Sequence, residues 1–337
     1  MTGAITGPSL SVVLITALLT SVLLIAALGG PRLMRAAAPA FAAAPRVASG
    51  ALIAAALLWI AGLVAIGPVV AWMSAGPAWL PEAAARVCGR CLMQASPFGA
   101  SAAALGIPAI VPLALPALGA ALVMAGLLRE GWRVRRSRAA LLADLRRRGT
   151  DVTLRGVRVR LLDDAAPRAF SLPHRDAGIV VSLGTLRALS GPELSAVLAH
   201  EGAHLRQRHH GALGLLLGAT HAFRWVPLIR AIRDAVPHTL EIAADRAATR
   251  ITGTPALASA LLKLGAAPAD PERLRAGHPA HSVLHAAASD RIQSLIGQRG
   301  TPISVALAAG AGLYAVMLAG VVAAVHVPYL LAIATGC

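Results

Sequence analysis

Residues 198–205 read Leu-Ala-His-Glu-Gly-Ala-His-Leu, and this short stretch decides how the rest of the chain is interpreted. Side chains four positions apart lie on one face of a helix, so His200 and His204 can direct their imidazoles to one point. Two converging imidazoles are good ligands for a divalent metal such as Zn²⁺. Glu201 lies between them, where its carboxylate can take a proton from an attacking water. The spacing His-Glu-x-x-His is typical of zinc-dependent peptidases.

A helix-start signal precedes the motif. Ser190 is a suitable N-cap residue, Pro192 suits the first helical turn, and Glu193 places a negative charge at the N-terminus. We therefore expect one helix that begins at this signal, carries the two histidines and runs on towards His210.

A catalytic zinc site needs a third protein ligand, and residues 239–248 (TLEIAADRAA) offer one. Glu241 and Asp245 are four positions apart and can share a helix face. Glu241 is the predicted zinc ligand, and Asp245 is predicted to accept the spare ring N–H of a zinc-bound histidine. The alternative is an exposed acidic pair in which Asp245 caps the helix or pairs with an arginine.

The composition indicates a membrane protein. The chain is 57% hydrophobic and 14% charged, with a mean hydropathy of +0.69. Its net charge of +16 is concentrated in residues 129–299, which hold 26 of the 31 basic residues and 14 of the 15 acidic ones. A positive-inside bias and attraction to anionic lipid explain this charge. Nucleic acid is not an expected partner, because no zinc knuckle, RNA-binding aromatic pattern or DNA-reading helix is evident.

Four apolar segments are long enough to cross a bilayer, at about residues 9–30, 49–74, 101–128 and 303–325. The segment that follows the first span carries three arginines and no acidic residue, and a dense arginine cluster begins at Arg129. Both regions are therefore predicted to be cytoplasmic. This orientation places the N-terminus, residues 75–100 and the C-terminus on the outer side of the cell membrane.

The predicted fold class is a mainly α membrane protein with an α+β zincin-like domain. Residues 1–128 form a membrane domain, 129–300 a cytoplasmic metallopeptidase domain, and 301–337 the fourth span and a short tail. Within the middle domain we expect a basic amphipathic helix over 130–148 and short strands over 152–162, 169–172 and 178–182, because apolar residues alternate or cluster there.

Two features have no assigned role. The apolar stretch 211–223 is too short to span a bilayer and forms either a core helix or a helix that dips into the membrane. Cys88 and Cys91 are predicted to form a local disulfide or to remain two free thiols, because further zinc ligands are not evident nearby. Cys337 has no partner in this scheme.

Residues 193–201, together with the spacing Glu241-x-x-x-Asp245, resemble the gluzincin-type membrane metallopeptidases. These include the heat-shock protease HtpX, the CAAX prenyl proteases and the BlaR/MecR-type antirepressor peptidases. The resemblance implies Zn²⁺ held by two histidines and a downstream glutamate, a glutamate general base, and a protein or peptide substrate.

A third block extends the resemblance. Residues 285–295 (HAAASDRIQSL) resemble the HtpX-type pattern His-Pro-Pro-x-x-x-Arg-Ile-x-x-Leu, with both prolines replaced by alanine. By that resemblance His285 stabilises the oxyanion and Arg291 braces the site electrostatically. The alternative is that His285 belongs to an ordinary polar loop with His278 and His281.

The arrangement of three spans before the catalytic segment and one after it is similar to that of the BlaR/MecR class. A penicillin-binding sensor domain is not expected here, so the resemblance does not imply β-lactam sensing. It implies an integral membrane zinc metalloendopeptidase that cleaves a protein, such as a repressor or another regulator, at the cytoplasmic membrane face. The alternatives are an HtpX-like quality-control protease and a non-catalytic membrane signalling protein. Substrate identity, activating signal, self-cleavage and oligomeric state stay open.

Overall fold

The computed structural model describes residues 10–71, 110–173, 176–265 and 301–335 of the 337-residue chain. Predictions for residues 75–100, Cys88, Cys91, His285 and Arg291 fall outside the described residues. Within them the protein is mostly helical with one small mixed sheet, and four helices are long and apolar enough to cross a membrane. Its elements follow in chain order: α1 (Leu10–Ala43), α2 (Pro45–Ala71), α3 (Ile110–Arg148), β1 (Gly149–Leu154), β2 (Val157–Leu162), β3 (Ala169–Ser171), β4 (Ile179–Ser182), α4 (Leu183–Ala188), α5 (Gly191–Arg206), α6 (His209–Ala219), a 3₁₀ turn (His221–Phe223), α7 (Pro227–Thr252), α8 (Thr254–Gly265) and α9 (Pro302–Thr335).

Helices α1 and α2 form a hairpin with a single residue between them. The Trp59 indole N–H on α2 donates to the Leu23 carbonyl on α1 at 3.0 Å, which fixes the pairing of the two helices. The segment after the first predicted span, which ends at about residue 30, is mostly helical, because α1 continues to Ala43 with Pro31 and Pro39 inside it. The segment is rich in alanine, and the high helix propensity of alanine offsets the backbone bonds that the two prolines lack.

Helix α3 joins two predicted elements into one. It contains the described part of the third span and the basic amphipathic segment over 130–148, and it is continuous across Leu128 and Arg129. The prediction that residues 130–148 are helical is confirmed. The fourth predicted span lies within α9, which packs against α1 and α2.

The predicted strands are confirmed and form a sheet of order β1-β2-β4-β3. Strands β1 and β2 are an antiparallel hairpin whose two turn residues, Arg155 and Gly156, both have positive φ, of 50° and 77°. This is the backbone of a two-residue hairpin turn. Strand β4 is parallel to β2 and antiparallel to β3, and all four of its residues are buried.

Helix α7 connects the α1–α2 hairpin to the rest of the molecule, because it packs against both of its helices. Its buried residues Ile229, Ile232 and Val236 share one apolar cluster with Leu23 of α1 and Trp59 of α2. A different cluster fills the space between the sheet and α5. Because α5 also packs against α7, the helix that carries the two motif histidines lies between the sheet and α7.

The prediction that the motif helix runs on towards His210 is wrong. Helix α5 ends at Arg206, and Arg208 takes a left-handed conformation with φ of 54° before α6 begins at His209. The left-handed residue breaks the helix and redirects the chain. The apolar stretch 211–223 forms most of α6 and the 3₁₀ turn, and both pack against α3.

The contact between α6 and α3 depends on glycine. A β-carbon at Gly126 would collide with the carbonyl oxygen of Gly218, whereas a β-carbon at Gly131 would have no atom within 4 Å. We expect Gly126→Ala to destabilise the protein by about 1–3 kcal/mol, because the two backbones must separate. Gly131→Ala on the same helix is the matched control and should stabilise it by about 0.5–1 kcal/mol. Thermal unfolding in detergent measures both, and equal midpoints for the two variants would contradict the close packing.

Candidate active site

The start of α5 is fixed by a network around Glu193. Ser190 is the N-cap residue, as the sequence predicts, and its backbone N–H donates to the Glu193 carboxylate at 2.7 Å. Lys263 of α8 donates to the same carboxylate at 2.8 Å, and the Ser259 hydroxyl donates to its other oxygen. The bonds from Lys263, Ser259 and Ser190 lower the pKa of Glu193 to about 2. The carboxylate is therefore charged at neutral pH and holds the first turn of α5 against α8.

About two turns after Glu193, α5 presents His200 and His204 to Glu241 of α7. The two Nε2 atoms are 3.0 Å apart. His200 Nε2 lies 3.5 Å from Glu241 Oε2, and His204 Nε2 lies 3.4 Å from Glu241 Oε1. Donor atoms bound to one tetrahedral zinc at about 2.0–2.1 Å would lie about 3.3 Å from one another. The three side chains therefore fit a single divalent metal ion of zinc size.

Asp245 lies one helical turn after Glu241 and is fully buried. Its Oδ1 atom is 2.9 Å from His200 Nδ1. With His200 Nε2 directed to the three-donor group, the Nδ1 atom carries the ring proton and donates it to Asp245. The structure thus brings together the four residues that the sequence spacing singles out on α5 and α7. The role of each residue remains a proposal.

Comparison with known proteins identifies the segment that contains this group. Residues 136–296 match peptidase family M48. The matched segment begins in the basic half of α3 and includes the sheet, α5 and α7.

The M48 match agrees with a curated relative. A "Protease HtpX homolog" from Acidiphilium cryptum (strain JF-5) is 31% identical over 158 aligned residues, which cover 37% of this chain and 55% of that protein. The chain thus spans about half the length of the curated relative that it matches. No solved structure matches the chain significantly. The M48 match covers the segment that holds the three donors, and four helices of the described chain are long and apolar enough to cross a membrane.

Within the segment that matches the M48 family, Glu201 is the remaining motif residue. It is 5% exposed and directly follows His200 on α5. A buried carboxylate next in sequence to a predicted metal ligand is a candidate general base. The roles predicted for His285 and Arg291 stay predictions, because both residues lie outside the described part of the chain.

The pKa values of the two histidines are shifted in opposite directions. Burial opposes the charge on His200, but its bonds to Asp245 and Glu241 outweigh burial and raise its pKa to about 10. Burial, with repulsion from His200, lowers the pKa of His204 to about 3. His200 is therefore the more basic of the two imidazoles, and metal binding requires an unprotonated Nε2 atom on both.

A second chain of hydrogen bonds supports His204. Its Nδ1 atom lies 2.8 Å from Nδ1 of His209, whose Nε2 atom lies 3.1 Å from the Gln207 side-chain oxygen. Arg46 of α2 donates to the same oxygen at 2.8 Å. If His204 presents Nε2 to a metal, its Nδ1–H donates to His209, and the His209 Nε2–H donates to Gln207. This series of hydrogen bonds, which ends at Arg46 of the α1–α2 hairpin, then fixes the tautomer and ring orientation of His204.

Sequence reasoning missed His209, Gln207 and Arg46. The spacing from His204 to His209 fits no helical face, and the two rings meet only because Arg208 redirects the chain. The sequence does not mark the break, because arginine is not a residue type that favours the left-handed conformation of Arg208.

We expect His209→Ala to lower metal affinity by about 10- to 100-fold, because it removes the acceptor that orients His204. His210→Ala is the matched control, since His210 is the next residue and its Nε2 atom lies 3.4 Å from the Ser171 hydroxyl. Competition against a zinc chelator measures both affinities. Equal affinities for the two variants would show that His209 has no part in holding the ligand.

Proposed function

We propose that the protein is an integral membrane zinc metalloendopeptidase that hydrolyses peptide bonds of a protein substrate at the cytoplasmic membrane face. The observation that carries this proposal is the convergence of His200, His204 and Glu241, with donor atoms 3.0–3.5 Å apart. The M48 match supports the same reaction class. The buried Glu201, which directly follows His200 in the sequence, also favours catalysis over a purely structural metal site.

Each residue has a distinct task in the proposed reaction. Zinc, when bound, supplies Lewis-acid polarisation of the scissile carbonyl and stabilises the negative charge that develops on its oxygen. Glu201 takes the proton of the attacking water and passes it to the leaving amine. Asp245 keeps His200 in the tautomer that leaves Nε2 free to bind metal. By the resemblance of their sequence block, we assign His285 as an oxyanion donor and Arg291 as an electrostatic brace.

The placement at a membrane face is supported by contacts to the α1–α2 hairpin. Arg46 bonds Gln207, and Ser49 shares a 2.8 Å hydrogen bond with Thr239 on the ligand-bearing helix α7. Arg46 is the last charged residue before the apolar run of α2. The group of metal-binding residues therefore lies near the tip of the α1–α2 hairpin, on the side of the charged residues that follow the first apolar run. The arginine distribution favours the cytoplasmic side for this face, with both termini on the other side.

Two substrate classes have separate support. Three spans before the site and one after it are similar to the antirepressor arrangement, which favours a repressor or another regulatory protein. Similarity to an HtpX homologue favours membrane proteins as quality-control substrates. The first class predicts one or a few cytoplasmic cleavage products, whereas the second predicts many products from membrane proteins.

The test is a comparison of protein N-termini in cells that express the wild type or Glu201→Gln. We expect new N-termini that depend on the wild type and are absent with the variant. The Glu201→Gln protein should instead co-purify with the intact substrate. The same set of N-termini in both strains would contradict the proposed activity.

A further inference from the structure

The turn between α6 and α7 lies at the level where α3 leaves its apolar segment. A β-carbon at Gly126 of α3 would collide with Gly218 at the end of α6 and would lie 3.0 Å from the β-carbon of His221. Arg129, the first charged residue after the apolar run of α3, follows Gly126 by three positions, or about 4–5 Å along the helix. The start of the turn therefore lies within one helical turn of a membrane boundary.

Helix α1 places the other end of the turn independently. A β-carbon at Gly30 would lie 2.5 Å from Cδ1 of Leu228, the second residue of α7. Arg32 is the first charged residue after the apolar run of α1 and follows Gly30 by two positions. The two ends of the turn are thus held at the ends of two different spans. The two contacts independently place the turn at the same depth relative to the membrane.

The turn exposes an aromatic side chain at this depth. Trp225 is 77% exposed, and its indole N–H donates to the Ala222 carbonyl within the same turn at 3.1 Å. Trp132, on the next turn of α3 after Arg129, is 63% exposed and stacks with Arg136, whose guanidinium carbon is 4.8 Å from the ring centroid. Tryptophan is enriched at the headgroup level of membranes, where its apolar ring and polar N–H are both satisfied.

Three arginines lie near His221, which belongs to the same turn as Trp225. Arg224 and Arg129 are exposed, and Arg224 lies 3.3 Å from the His221 ring. Arg233 braces the turn from inside through bonds to the Leu217 carbonyl and the Thr220 hydroxyl, at 3.0 and 2.8 Å. Burial lowers the pKa of His221, and repulsion from Arg129, Arg224 and Arg233 lowers it further, so these three arginines act on one site.

The nearby acidic residues do not neutralise this surface. Glu130 is paired with Arg133 through two hydrogen bonds, at 2.6 and 2.9 Å. Asp234 adds one negative charge near Arg233. A net positive surface therefore remains around an exposed tryptophan at a membrane boundary, and this combination of chemistry fits an anionic lipid headgroup.

We propose that the turn formed by residues 220–226 is a membrane-interface anchor that binds anionic phospholipid. Trp225 inserts at the boundary between headgroups and acyl chains, and Arg129 and Arg224 contact the phosphates. The proposal rests on the membrane placement in the proposed function, but it does not depend on peptidase activity. Because α7 starts at this turn and also carries Glu241, the anchor fixes one end of the helix that supplies the third metal ligand.

The depth of the turn is measured on full-length protein in nanodiscs of phosphatidylcholine and phosphatidylglycerol. A nitroxide is attached at Trp225→Cys in a chain whose three native cysteines are replaced by serine. A nitroxide at exposed Arg187→Cys, on α4, is the aqueous control. We expect position 225 to be accessible to oxygen and protected from a water-soluble nickel complex. Nickel accessibility equal to that at position 187 would overturn the proposal.

Lipid selectivity is measured by native mass spectrometry of the intact protein with either lipid. We expect the wild type to retain phosphatidylglycerol in preference to phosphatidylcholine, and Arg129→Gln/Arg224→Gln to bind phosphatidylglycerol about 30-fold more weakly. Arg158→Gln/Arg187→Gln removes two exposed arginines elsewhere and should bind as the wild type does. Equal retention of both lipids by the wild type, or no effect of the first double variant, would overturn the proposal.

The same two measurements on Glu201→Gln protein separate this inference from the proposed enzyme activity. Both are expected to give the wild-type result, because the general base takes no part in lipid contact. If the wild type cleaves its substrate but position 225 is exposed to water or lipid selectivity is absent, only the anchor proposal is contradicted. If both membrane measurements give the expected result but the wild type cleaves no substrate, only the proposed peptidase activity is contradicted.

Discussion

Glu201→Gln is expected to retain its metal ion and to lower kcat by about 10²- to 10⁴-fold. Glutamine keeps the size and polarity of the side chain but cannot accept the proton of the attacking water. The substitution removes none of the three donor atoms, which belong to His200, His204 and Glu241. The measurement is the cleavage rate of a quenched fluorescent peptide, derived from an identified substrate, alongside the metal content of the same preparation.

The matched control is Glu193→Gln, which makes the same chemical change on the same helix. Glu193 belongs to the network with Ser190, Ser259 and Lys263, away from the metal-binding residues. This variant should be less stable than the wild type, because the network holds the start of α5. Its folded fraction should cleave the peptide at the wild-type rate. Cleavage by Glu201→Gln at that rate would remove Glu201 from the mechanism.

Glu241→Ala is expected to lower metal affinity by more than about 100-fold. It removes the carboxylate that both imidazoles face and the only negatively charged member of the three-donor group. Removing a group that merely orients a ligand typically costs about 10- to 100-fold, and removing a ligand costs more. Chelator competition on the full-length protein measures the affinity, and activity should be lost in parallel.

Asp245→Asn provides the graded comparison on the same helix. The variant keeps all three donors, but it weakens the contact of 2.9 Å that orients His200. We expect a loss of about 10- to 100-fold, which falls between the wild type and Glu241→Ala. If Glu241→Ala bound metal as tightly as Asp245→Asn, Glu241 would not be a ligand.

The parts of the site that the sequence predicts are those that follow from helical periodicity. His200 and His204, and likewise Glu241 and Asp245, are four positions apart, so each pair shares a face wherever its helix packs. The strands of the sheet were also predicted from local alternation, and the turn at Arg155 and Gly156 joins two of them without a long-range contact.

The remaining features depend on contacts between distant segments. The ring of His209 meets His204 only because the chain reverses at Arg208, and Arg46 reaches Gln207 across 161 positions of sequence. The extension of α1 to Ala43 also depends on a distant segment. Helix α7 packs against α1, and Arg246 of α7 donates to the Ala43 carbonyl at 2.7 Å. Apolar periodicity in α7 indicates a buried face but does not identify the helices that cover it.

The proposed metal centre is tested most directly by X-ray absorption at the zinc edge, on full-length protein purified without chelator and supplied with one equivalent of zinc. We predict one zinc per chain, bound only by nitrogen and oxygen, with the scattering pattern of two imidazoles and with bond lengths of about 2.0–2.1 Å. The imidazole signal should fall in His204→Ala. Sulfur in the coordination sphere, or no stoichiometric zinc in the wild type, would contradict a centre formed by His200, His204 and Glu241.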